Sequence, residues 1–104
     1  MPATFKVEIT PAAERDIEEI WDYIAQDSPE NATAFILALE NQTDSLERLP
    51  QRCPLISENA ILGTACRHLL YGNYRTIFRI AGKRVIILRV IHGSRLLDTS
   101  MFGG

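Results

Sequence analysis

Tyr74-Arg75-Thr76-Ile77-Phe78-Arg79-Ile80, then Ala81-Gly82-Lys83, then Val85-Ile86-Ile87-Leu88-Arg89-Val90-Ile91: these residues decide the fold. Two runs rich in β-branched and aromatic residues flank a glycine turn, which is the pattern of an antiparallel hairpin. Upstream, Ala65 to Leu70 is a third such run, and Tyr71-Gly72-Asn73 is the turn that joins it to Tyr74. The second half of the chain is therefore read as three antiparallel strands.

The first half has a different period. Phe5 to Ile9 alternates as a half-buried strand. Thr10-Pro11 then supplies a hydroxyl cap and a proline for a first helical turn. Ala13, Ile17, Ile20, Trp21 and Ile24 recur at helical spacing, with Glu14, Asp16, Glu18, Glu19 and Asp22 forming an acidic outer face. Ser28-Pro29 restarts the pattern, and Ala32, Phe35, Ile36, Leu39, Leu46 and Leu49 carry a second stripe up to Pro50. Residues 51–64 read as a loop. The expected fold is α+β: strand, helix, helix, three strands, with a helical hairpin packed on one face of a small, mainly antiparallel sheet.

Its 104 residues suit one domain, residues 1–104, with one modest core. No run approaches the ~20 apolar residues of a membrane span. The opening Met-Pro-Ala-Thr-Phe-Lys lacks the apolar centre of a signal peptide, so the expected location is cytoplasmic. Cys53 and Cys66 fit neither a disulfide framework nor a zinc pattern and are read as free thiols.

A net charge of −2 conceals a strong asymmetry. Residues 1–50 hold Lys6, Arg15 and Arg48 against eleven carboxylates; residues 51–104 hold eight basic side chains against Glu58 and Asp98. Either a basic face meets something anionic, or the halves neutralise each other within the fold. Alternation puts Tyr74, Thr76, Phe78 and Ile80 on one side of the middle strand and Arg75, Ile77 and Arg79 on the other. Continuing it, Arg67 and Arg89 are expected to join Arg75 and Arg79 on the open face. That face suits an anionic amphipathic peptide or a nucleic acid. The plainer alternative is long arginines snorkelling off an exposed sheet.

The element order, the run Asn73 to Ile80, and Val85 to Arg95 with its His92-Gly93-Ser94-Arg95 ending resemble the RelE/ParE toxin superfamily. Ala13 to Ile24 is similar to the superfamily's first helix, and the resemblance extends from about Phe5 to Asp98. It implies a toxin of a type II toxin–antitoxin system, held in a hetero-oligomer by a cognate antitoxin, with no cofactor. The antitoxin's C-terminal segment should be acidic and amphipathic to match Arg67, Arg75, Arg79 and Arg89. RelE-like members cut messenger RNA on the ribosome; characterised ParE-like members inhibit DNA gyrase.

The chemistry of RNA cleavage bears on the branch. Attack by a 2′-OH needs a proton acceptor, a proton donor and cations on the phosphate. By resemblance, Arg75 and Arg95 stand where RelE-like nucleases place phosphate-binding cations. The place of the catalytic tail tyrosine falls at Met101, beside Phe102, and neither can exchange a proton. Positions of supporting lysines fall at Cys66 and His68. The ParE-like reading is thus preferred: a gyrase inhibitor with no bond-making chemistry, meeting its target through the acidic helix face (Glu14, Glu18, Glu19, Asp22) or the end near Arg95. The alternatives are a ribosome-dependent endoribonuclease using Arg75, Arg95, His68 and His92, and an inactive module that only binds antitoxin.

Overall fold

The computed structural model describes residues 4–96. Strand β1 (Lys6–Ile9) leads into helix α1 (Pro11–Ala25), then α2 (Pro29–Asp44). Short 3₁₀ turns at Ser45–Glu47 and Pro50–Arg52 and a one-turn helix α3 (Asn59–Leu62) precede β2 (Arg67–Tyr71), β3 (Tyr74–Ala81) and β4 (Arg84–His92). No helix among the described residues is long and apolar enough to cross a membrane.

Both helix starts are set by their caps. The Thr10 and Ser28 hydroxyls accept from the backbone N–H groups of Ala13 and Asn31, each at 3.2 Å, and satisfy donors that a helix start leaves free. The second helix is shorter than its apolar stripe suggested. It ends at Asp44; Leu46 is buried in the following 3₁₀ turn, and Leu49 is exposed at φ +49°. The ring of Pro50 disfavours a right-handed helical conformation at Leu49, so the chain turns out of the stripe there.

The sheet order is β1-β4-β3-β2. Antiparallel hairpins join β2 to β3 and β3 to β4, with Gly72 and Gly82 taking the positive φ that each tight turn requires. The first strand pairs parallel to the last, from Lys6 opposite Arg84 to Ile9 opposite Ile87. Between Ile77 and Phe78 the β3–β4 register shifts: Ile77 faces Arg89 and Phe78 faces Ile87, leaving Leu88 as an extra residue.

The main core lies between the sheet and the two long helices. Ala13, Ile20 and Leu39 meet Phe78, Val85, Ile87 and Val90 there. Asp16, assigned to the outer face by charge, is buried; its place three residues after Ala13 and four before Ile20 puts it within the inner stripe. Trp21 sits at the edge of that stripe and is partly exposed.

The other sheet face is not left open. Ile56, Cys66, Ile77 and Ile91 form a second buried cluster with Leu62 and Leu88 against it. The segment read as a loop thus packs as a partial third layer. It is pinned by the Asn59 amide, which donates to the Cys66 carbonyl and accepts from the Cys66 N–H, each at 2.9 Å. Backbone bonds from Ile56 N–H to the Cys66 carbonyl and from His68 N–H to the Pro54 carbonyl lay it along the edge of β2.

Candidate functional site

The four strand arginines divide between the two sides of the sheet. Arg67 does share a side with Leu69, as alternation requires, but Leu69 packs in the helix-side core. The Arg67 guanidinium donates to the carbonyls of Gln51 and Cys53 at 3.1 and 2.6 Å. Arg89 also reaches the helix side, where Nε and Nη2 donate to the two oxygens of Asp16 at 2.6 and 2.7 Å. The expected common arginine face is therefore corrected: only Arg75 and Arg79 lie on the side away from the helices. For Arg89 the cause is that its own alternation set, with Val85 and Ile87, faces the helices; the extra residue at Leu88 changes the phase only beyond it. Val85, Ile87 and Val90 face the helices, whereas Ile91 joins the second cluster.

Arg75 is buried and ion-paired with Glu58, which is buried as well. One guanidinium nitrogen, Nη2, donates to Glu58 Oε2 and also to the Arg95 carbonyl at 2.8 Å; the other, Nη1, donates to Glu58 Oε1 at 3.2 Å. That nitrogen also lies 3.4 Å from Nδ1 of His68. A guanidinium only donates, so Nδ1 is the acceptor and its lone pair points at Arg75. Burial pushes the His68 pKa down, the Arg75 charge pushes it further, and Glu58 opposes both. Hence the structure brings together Arg75, His68 and the backbone of Arg95, and sets a carboxylate among them that the sequence did not single out. Glu58 was visible only as a rare acid in the basic half.

His92 is on the opposite side of the sheet from this cluster. Its ring stands edge-on to Tyr74 at 5.6 Å, in line with Phe35 and Tyr71. Its Nδ1 accepts from the Ser94 N–H at 3.2 Å and is 2.7 Å from the Ser94 hydroxyl oxygen. Met101 and Phe102 lie outside the described residues.

Arg79 is exposed, and its guanidinium makes no hydrogen bond or ion pair among the described residues. It borders a shallow groove of about 410 Å³ whose other walls include Cys66, Ile80 and Leu88. Cys53 and Cys66 are free thiols, both buried, and burial raises the pKa of each. Neither is placed as a nucleophile, because the thiolate is the reactive form.

This is the fold of the small toxins of the ParE/RelE superfamily. A structure of a chromosomal ParDE toxin–antitoxin system from P. aeruginosa is similar, with a TM-score of 0.69 and 22% identity, over 86% of this chain and 97% of that one. A chain of the RelBE2 toxin–antitoxin complex from Mycobacterium tuberculosis is similar too, with a TM-score of 0.58 and 28% identity, over 86% of this chain and 98% of that one. No curated protein matches the chain. Residues 7–97 match the family described as the ParE toxin of the type II toxin–antitoxin system parDE, and the chain belongs to that family.

Proposed function

We propose that this toxin acts by binding DNA gyrase and does not cut RNA. The observation that carries this reading is the Glu58–Arg75 pair. A phosphate on Arg75 would have to displace a buried carboxylate that already accepts from both terminal nitrogens. His68 cannot readily serve as a base while its Nδ1 lone pair faces that same guanidinium. The family match supports the same branch.

A cognate antitoxin keeps the toxin silent until it is needed. Its acidic amphipathic segment docks on the sheet side away from the helices, with a carboxylate at Arg79 and aliphatic side chains in the adjoining groove. Among the four arginines first considered, Arg79 alone is exposed and without an internal partner, so it supplies the contact charge. Arg67, Arg75 and Arg89 serve chiefly to hold the fold. Arg79→Glu is expected to weaken antitoxin binding about tenfold or more, since a favourable charge contact becomes a repulsive one; an unchanged affinity would remove Arg79 from the interface.

The deciding experiment is induced expression without antitoxin, sampled within minutes for DNA breaks and for translation, alongside a supercoiling assay with purified gyrase. Early breaks and blocked supercoiling are expected, with translation continuing. Immediate messenger cleavage that is lost in His68→Ala would overturn the reading in favour of the nuclease. No growth arrest at all would favour the module that only binds antitoxin.

A further inference from the structure

The outer end of α1 and the ends of β3 and β4 enclose a second recess. Asp16, Glu19, Ile20 and Tyr23 are spaced as one stripe of α1. They face Tyr74, His92 and Arg95 across a cleft of about 180 Å³. Of the acidic helix face that the sequence offered as a target contact, Glu19 lines this cleft, opposite the end near Arg95.

The chemistry of the walls narrows what can enter. Asp16 is already compensated by Arg89 and by the Val90 N–H, 2.9 Å away. The side chains of Glu19 and Tyr23 are exposed and make no hydrogen bond among the described residues. Tyr23 and Tyr74 contribute aromatic rings to the walls, and a cation is attracted to the face of such a ring. Exposed Glu18 and Asp22 on the same helix make the local potential negative. Phosphates are disfavoured there, which argues against a nucleic acid. The volume also falls below the ~300–1,000 Å³ of ordinary small-molecule sites and is the size of one side chain. Arg95, on another wall, repels an isolated cation but would pair with a carboxylate next to it.

We propose that this cleft is the target-contact site of the toxin, and that it takes an arginine or lysine side chain from a partner segment that also carries an acidic residue. The cation lies against the tyrosine rings and pairs with Glu19; the neighbouring carboxylate pairs with Arg95. The partner's identity as gyrase rests on the function proposed above, whereas the chemistry of the cleft does not.

The test measures gyrase affinity for the full-length toxin and for Glu19→Gln, Tyr23→Ala and Glu40→Gln. The last variant removes the same charge from an exposed site on α2. In parallel, the dipeptide acetyl-Arg-Glu-amide is titrated into each protein while the ring resonances of Tyr23, Tyr74 and His92 are followed by NMR. Glu19→Gln and Tyr23→Ala should each weaken gyrase binding about fivefold, against less than about twofold for Glu40→Gln. The dipeptide should shift those rings in the wild type and much less in the two cleft variants. Equal losses in all three variants would mean a diffuse acidic attraction and overturn the proposal. So would unimpaired gyrase binding by the cleft variants, which would leave the gyrase reading standing. If the wild type ignores gyrase while the dipeptide still shifts the rings, the cleft stands and the gyrase reading falls.

Discussion

Asp16 and Glu58 perform the same task on opposite sides of one sheet. Each buries a carboxylate against a strand arginine, Arg89 on the helix side and Arg75 on the other. Their supports differ. Asp16 stands on a fifteen-residue helix and also accepts the Val90 N–H. Thr10, at the start of the same helix, accepts from its own first turn, and its hydroxyl donates to the Leu88 carbonyl at 3.0 Å. Four successive residues around the β4 irregularity, Ile87 to Val90, are thereby held from Thr10 and Asp16. Glu58 sits just before a single helical turn, on a segment fixed by Asn59 and a small apolar cluster. The contrast separates a pair built into the frame from a pair that a local opening could release.

The sharpest way to break this contrast is Asp16→Ala. Removing one partner of a buried pair leaves the other charge uncompensated, and here a backbone N–H as well, at a cost of about 3–5 kcal/mol. Urea unfolding should show a global loss of that size. Glu58→Ala should cost less, about 2 kcal/mol, because the segment can move and admit water to Arg75. Its hydrogen exchange should accelerate over residues 56–66 first, with β1 and β4 still protected. Equal costs, or equally global exchange, would erase the distinction.

Smaller changes refine it. Thr10→Ala removes a helix cap and the bond to Leu88, so a loss of about 1 kcal/mol is expected in the same urea experiment. Arg89 should then exchange partners more freely, which line broadening of its side-chain signals would report. The smallest effect concerns pH. His68 titrates below its ordinary value in the folded protein, so below pH 6.5 the unfolded chain takes up the proton first. The stabilisation is therefore present above about pH 6.5 and is lost as the pH falls through the lowered folded value. His68→Gln should flatten that part of the urea-midpoint profile; an unaltered profile would mean that other groups set it.

Much of the frame was legible in the sequence, because caps, turns and periodicity are local. Thr10-Pro11 and Ser28-Pro29 mark both helix starts, and the glycines at 72 and 82 mark both hairpins. What alternation could not say is which side of a strand meets the helices. It grouped Arg67 with Leu69 correctly and then placed the pair on the wrong face. In β4 it did the same with Val85, Ile87 and Arg89, and the extra residue at Leu88, which no nearby residue announces, moved Ile91 to the other side. Glu58 was hidden for another reason: its partner lies seventeen residues away and depends on how the intervening segment folds back. The charge asymmetry between the halves is partly internal, since Glu8–Arg84 and Asp16–Arg89 both join an acid from the first half to a base from the second.

The parallel pairing of β1 with β4 also sets a clock. Lys6 opposes Arg84, so the first strand has no neighbour in the sheet until residues 84–87 have been synthesised. At ordinary elongation rates of about 5–20 residues per second, that interval lasts about 4–16 s. Long-range pairing of this kind also slows folding itself, because the intervening chain must be ordered before the contact can form. A ribosome-bound chain that stops short of Arg84 would present a helical hairpin with its apolar stripe bare and Asp16 without its arginine. Such a chain cannot yet assemble the Arg95 cleft, whose walls need β4 and the residues that follow it.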